Sequence, residues 1–499
     1  MAGGNFVGLD IGSQQMKVVE TRRDGSGVAV TALGVAPTPQ EAFENAVLVD
    51  AQLLGKAVKD LLKQAGVTAR DCISSVSGQS AVVVRVIDVP QMKSTELAET
   101  MKWEVERHVP FSASEVIMDY QLIERPEGYA EGENMDVLLA VAQQDVVDKH
   151  VEMLFAAGLK PRAIDVEPLA AGRALLELLP EDALPAGHTV VIVNIGASNT
   201  DIAIFRDRLP AFPRTLPLGG ENLTRAIAEG MMVDPQTAEQ YKRDFGEVIF
   251  GQAAQPTQDF GTVGFGTSAG FLDFTAPQQP APEPPVSSPS GRMPFDFSGT
   301  SETAPPAPSP FDTPATPLNP FDAPATPPAS SPFDFTEQSA QPTMQPAPAP
   351  AEPGFFDPNQ GATPAGSNLP VPAVTADEAQ REALKTQVFN CMAPVLTDLV
   401  QELRRSLDYY RGKASDAAIH EIWLTGGTAK LRNLAPFLEA ELGVPTRVVD
   451  PLRNVRVVAK NYSEEYLEEI GPYFTVAVGL GAYKLVPSAA QPKSKARKK

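Results

Sequence analysis

The chain has 499 residues against a usual ~100 to 200 per domain, so several structural units are expected and a small stapled fold is excluded. Its net charge of −21 excludes a protein that wraps nucleic acid, because phosphate contact needs a basic surface. Two lone cysteines, Cys72 and Cys391, have no CxxC or metal-ligand spacing, and there is neither a signal-peptide pattern nor an apolar run of about 20 residues. The expectation is a cytoplasmic α/β protein without a membrane span, its cysteines filling core.

Taken in chain order, Phe6 to Asp10 and Met16 to Glu20 read as two strands joined by a tight glycine turn. Thr95 to His108 places Leu97, Ala98, Met101 and Val105 at helical spacing. Asp145 to Ala157 does the same, with Asp145 as the expected cap and Gly158 as the stop. Val190 to Asn194 and Thr200 to Phe205 repeat the opening hairpin.

A change of composition follows. Residues 251 to 374 hold 28 of the 48 prolines and eleven acidic residues against one basic residue, Arg292, for a net charge of −10. Such a segment cannot bury enough apolar area to offset chain entropy, so 251–376 is expected to be a disordered insertion. Its five Phe-Asp units, the first at Phe295-Asp296 and the last at Phe356-Asp357, are either parts of a spacer or multivalent docking motifs. Beyond it, Glu378 to Tyr410 predicts one long helix or two interrupted at Pro394. A strand over Ile419 to Leu424 comes next, and a basic tail over 487–499 closes the chain.

Five short stretches carry candidate chemistry. Asp10-Ile11-Gly12-Ser13, with Gln14 and Lys17, ends a buried strand on a carboxylate and then offers a glycine and a hydroxyl. Backbone N–H groups in such a turn cradle phosphate, and Asp10 can orient water on Mg²⁺. Asn194, Gly196, Ala197, Ser198 and Asn199 repeat that setting, so two hairpins can grip phosphates from opposite sides. Gly426-Gly427, with Lys430, follows a strand and is expected to open a helix beside an adenosine. Gly219-Gly220, with Asn222, precedes another helix, and Glu239 and Lys242 share a helical face within reach of a ribose or base. Neither GxxxxGK[ST] nor GxGxxG occurs, which argues against P-loop and Rossmann folds.

These residues resemble the actin, sugar kinase and heat-shock ATPase superfamily. Within it, VGLDIGSQQMKVVE, MKWEVERHVPFSASEVIMDYQLI, VVIVNIGASNTDIAIF, RTLPLGGENLTRAI and IWLTGGTAKLRNL are similar to the PilM family of type IV pilus assembly proteins, relatives of the division protein FtsA. The resemblance implies a two-lobed actin-like (ribonuclease H-like) fold with ATP and Mg²⁺ in the central cleft. It places the first lobe at 5–185, with an extra FtsA-like subdomain at about 91–165, and the second lobe at 186–250 and 377–486. It further implies an adaptor at the inner-membrane platform that binds the cytoplasmic N-terminal peptide of PilN and works with the platform and its motor components, with self-association as a further candidate interaction. Trp103, His108, Pro110 and Phe111 are candidate groove residues, with a core role for Trp103 and Phe111 as the alternative. An FtsA-like filament is the rival reading; no second substrate pocket points to a sugar kinase. One departure stands out: position 194 is Asn where the superfamily usually has Asp, which lowers the expected ATPase activity more than nucleotide binding.

Overall fold

The computed structural model describes residues 4–25, 27–44, 47–78, 81–109, 111–125, 128–250, 376–413, 417–460 and 462–486. The Phe-Asp units, the basic tail and Pro110 lie outside the described residues.

Alternating apolar residues and a glycine turn make β1 (Phe6–Ile11) and β2 (Gln15–Asp24) the expected hairpin, which β3 (Gly27–Pro37) extends antiparallel. The short pair β4 (Phe43–Glu44) and β5 (Val47–Leu48) leads into α1 (Ala51–Gln64). Asp50 caps α1 by accepting from the backbone N–H groups of Gln52 and Leu53. After β6 (Asp71–Val76), parallel to β1, the chain leaves the main sheet. It forms β7 (Val82–Val89), α2 (Ser94–His108), β8 (Val116–Leu122) and β9 (Met135–Gln143), a separate antiparallel sheet in the order β7-β9-β8.

The chain returns through α3 (Gln144–Ala156), β10 (Lys160–Val166) and α4 (Glu167–Gly172), which runs on into a π-helical turn, Arg173–Glu177. α3 is capped at Gln143 and not at Asp145, whose carboxylate sits in the first turn, where it favours the helix dipole. The small sheet therefore runs from Val82 to Gln143, not from 91 to 165. The reason is that α3 and β10 have their apolar partners in the main sheet, β10 pairing with β6.

The second half repeats the plan. β11 (Thr189–Ile195), β12 (Thr200–Arg206) and β13 (Leu209–Leu216) form an antiparallel meander, followed by α5 (Gly220–Met231), α6 (Pro235–Phe245) and α7 (Ala376–Lys413). β14 (Glu421–Thr425), α8 (Leu434–Leu442) and β15 (Thr446–Val448) complete a sheet ordered β13-β12-β11-β14-β15. That order matches β3-β2-β1-β6-β10 of the first sheet strand for strand. α7 is one helix through Pro394, because Val388, Met392, Leu396, Leu399 and Leu403 bury one continuous stripe on the second sheet.

The last elements, β16 (Arg456–Val457), α9 (Glu464–Ile470) and α10 (Thr475–Ala482), do not all belong to the second lobe as expected. β16 pairs with β3 in the first sheet. α10 lies on β1 so closely that a Cβ at Gly8 would sit 2.1 Å from the Ala477 carbonyl oxygen. The result is five layers: α1 and α3, the first sheet, α4 with α10, the second sheet, and α5 to α8. The middle layer serves both sheets. Ala171, Leu175, Ala477 and Val478 share one core with Val19 and Leu33 on one side and Val190, Ile192 and Phe205 on the other. Cys72 is buried in the first sheet and Cys391 is half-buried on α7.

Candidate functional site

Between the two repeats lies a cleft of about 1500 Å³. The turn of each hairpin enters it with the same geometry: Gly12 N–H donates to Gln15 O at 3.0 Å, and Gly196 N–H donates to Asn199 O at 2.9 Å. Among the described residues, the N–H groups of Ser13, Gln14, Ala197 and Ser198 find no protein acceptor, so each loop presents two free donors to the cleft. Asp10, Gly12, Ser13, Gln14, Lys17, Asn194, Gly196, Ala197, Ser198 and Asn199 all line it, as the sequence motifs require. Lys17 Nζ is 3.1 Å from Asp10 Oδ2, an ion pair shielded from most solvent.

Three carboxyl groups meet at the cleft floor, two of which sequence motifs alone did not single out. Glu167, at the start of α4 ahead of Pro168, faces Asp10 and Asp201. Burial, then the charges of Asp201 and Asp10, push its carboxyl well above the ordinary range, and it is hydrogen-bonded to Asp201. Burial also raises Asp201, against the pull of hydrogen bonds from Thr215 at 2.6 Å, Glu167 and Asn194. Glu167 and Asp201 are thus a hydrogen-bonded pair beside Asp10, both carboxyls raised from their ordinary range. The available signals were Pro168 just inside a helix start and an acidic residue directly after the second hairpin turn.

The remaining predicted residues divide into lining and support. Gly426 has φ +88°, and a Cβ there would lie 2.5 Å from Ile195 O and 2.7 Å from Asn194 Oδ1, so only glycine lets this loop close over the second hairpin. The pair Gly426-Gly427 leads into a single 3-10 turn, Thr428–Lys430, and not directly into an α-helix; Asn433 in the left-handed region starts α8. Lys430 lines the cleft mouth and donates to Glu469 O at 2.8 Å. Gly220, Glu239 and Lys242 also line the cleft, and Lys242 Nζ bonds Glu239 at 2.6 Å and the Thr224 hydroxyl at 2.7 Å. Burial raises the Glu239 carboxyl, but hydrogen bonds from Lys242 and Thr224 outweigh it and hold the group ionised. Gly219 and Asn222 are supporting residues: Asn222 Oδ1 accepts from Gly219 N–H at 2.9 Å and closes the turn into α5.

The family description "Type IV pilus assembly protein PilM" matches residues 8–248 and 376–484. The chain belongs to the PilM family. A solved PilM chain from a PilM-PilN type IV pilus biogenesis complex is 25% identical, with a TM-score of 0.63, covering 96% of this chain and 98% of that one. The cell division protein FtsA of Bacillus subtilis (strain 168) is 23% identical over 270 residues, and that of Streptococcus pneumoniae serotype 2 is 25% identical over 284. Each match covers 60% of the FtsA chain and about half of this one, 50% and 52%. The fold is thus the actin-like ATPase fold of the PilM family.

In this PilM-family chain the candidate groove residues cluster at one end of α2. Trp103 is 70% exposed. His108 Nε2 lies 3.2 Å from Glu104, and burial with two neighbouring arginines lowers its pKa despite that carboxylate. Phe111 packs against the small core of Leu97, Met101, Val105 and Val137, which favours the structural role for it and not for Trp103. The small sheet also touches the second lobe: β7 lies along β13, and Lys413 Nζ at the end of α7 is 3.8 Å from Asp88. Among the described residues no helix is long and apolar enough to cross a membrane.

Proposed function

We propose that this chain is a nucleotide-responsive adaptor of type IV pilus assembly, working in the cytoplasm and held at the inner membrane through its partner. The observation that carries the reading is the pair of opposed hairpin turns, each with free N–H donors, over a floor of carboxyl groups. That arrangement suits a nucleoside polyphosphate, with the base directed toward Glu239, Lys242 and the Gly426 loop. ATP is the proposed ligand. Among the described residues no group of three His, Cys, Asp or Glu side chains is placed to hold a metal unaided. Mg²⁺ near Asp10 would be held mainly by phosphate oxygens and water. Asn194 carries no charge and its amide is engaged with Asp201, so turnover is expected to be slow or absent.

The proposed partner is the cytoplasmic N-terminal peptide of PilN, docking beside α2 and the small sheet, with the platform and motor components beyond it. A change in lobe angle would reach that sheet through β13 and Lys413, so nucleotide state and peptide affinity would be linked. Immobilised PilN peptide should retain the full chain, with affinity changed at least threefold by MgATP and lowered about tenfold by Trp103→Ala. No retention with or without nucleotide would end the adaptor reading. The FtsA relatives favour a second reading, self-association into filaments; electron microscopy with MgATP decides it.

A further inference from the structure

The two hairpin turns face each other across the cleft, and one side chain joins them directly. Glu221, the second residue of α5, accepts from Gln14 Nε2 at 2.8 Å and from the Ser13 hydroxyl at 3.4 Å. Its own backbone is anchored in the second lobe, with Glu221 N–H donating to Ala197 O at 2.8 Å beside Gly220 N–H to Gly196 O at 3.0 Å. A carboxylate rooted on the second hairpin therefore grips the first hairpin at the place where phosphate oxygens would need the Ser13 hydroxyl and the free N–H donors.

We infer that Glu221 is the residue that sets which nucleotide forms the cleft accepts. Resting on the nucleotide reading above, it does so in two ways. In the empty protein it latches the hairpins together, and a polyphosphate must take over Ser13 and Gln14 to enter. Once inside, bare phosphate at Ser13 and Gln14 meets a like charge: Lys17, Lys242 and Arg243 are already paired with Asp10 and Glu239, and the nearest other cation along α5 is Arg225, one turn on. A divalent cation on the phosphates relieves that repulsion, so Glu221 makes binding depend on the metal complex and penalises free ATP.

The test uses the full chain, with exposed Lys59→Cys and Ala440→Cys carrying spin labels on the two lobes, and a fluorescent ATP analogue. Glu221→Gln keeps the hydrogen-bonding shape and removes the charge. It should tighten binding of the analogue about tenfold in EDTA and no more than about twofold with Mg²⁺. Glu221→Ala should broaden and lengthen the interlobe distance without nucleotide. Equal affinities of wild type and Glu221→Gln in EDTA, or an unchanged distance in Glu221→Ala, would overturn the inference. If no variant binds nucleotide under any condition while the distance still lengthens in Glu221→Ala, the latch stands and the nucleotide reading fails, so the two failures are told apart.

Discussion

The two hairpins are one backbone with two chemistries. In β1 and β2 the residues facing each other across the ladder next to the turn are Asp10 and Lys17; in β11 and β12 they are Asn194 and Asp201. The first pair is a carboxylate neutralised by an ammonium group. In the second pair the carboxyl group has crossed to the other strand, where the Asn194 amide and the raised Glu167 carboxyl hydrogen-bond it. The carboxyl group absent at position 194 is therefore present one ladder partner away. A repeated backbone need not carry a repeated chemistry.

The supports behind the hairpins differ as well. Behind β1, Ser74 of β6 donates to Leu9 O at 2.7 Å and is met by His150 Nε2 at 2.9 Å. The equivalent of Ser74 in the second sheet is Leu424, which faces Val193 and offers nothing that titrates. Burial pushes His150 down to about 4 from the ordinary 6.5, so the unfolded chain takes up this proton first as pH falls. The stability it supports is full above pH 6.5 and is lost on the way to pH 4, by about 3 kcal/mol. Glu167 works in the opposite sense, because a raised carboxyl favours the folded state at low pH. Urea unfolding of wild type and His150→Gln at pH 7 and 4.5 separates the two: the wild type should lose stability relative to the variant, and parallel losses would remove the asymmetry between the lobes.

Asp10→Ala should break the first hairpin's chemistry next, weakening binding of MgATP about 100-fold through loss of both the metal's anchor and the partner of Lys17. Equilibrium titration checks this; a change below threefold would mean that the second hairpin alone holds the phosphates. Asn194→Asp makes the second hairpin resemble the first. It should raise ATP hydrolysis about tenfold over a slow wild type, since a carboxylate then replaces the amide beside Asp201. Robust, equal rates in both proteins would show that Asp201 already supplies what position 194 lacks.

Much of this was readable along the chain. Hairpins, helix faces and the glycine pairs are local patterns, and local propensity agrees with the final fold at Phe6–Glu20, Val190–Phe205 and Gly219–Met231. Two misses are local, the cap of α3 and the 3-10 turn after Gly427; what else was missed or left open depends on partners distant in sequence. Glu167 meets Asp201 only because two sheets flank α4. The Pro394 helix stays whole because a sheet buries its stripe.

The sequence alone determined the α/β class, the two similar hairpins and the Pro-rich stretch, and its motifs carried the family resemblance, since each is written in neighbouring residues. Only the tertiary structure decided that β16 and α10 return to the first sheet, that Glu167 meets Asp201, and that Glu221 reaches across to Ser13 and Gln14. Those facts are set by burial and charge among groups that become neighbours only when the two repeats close on a common middle layer.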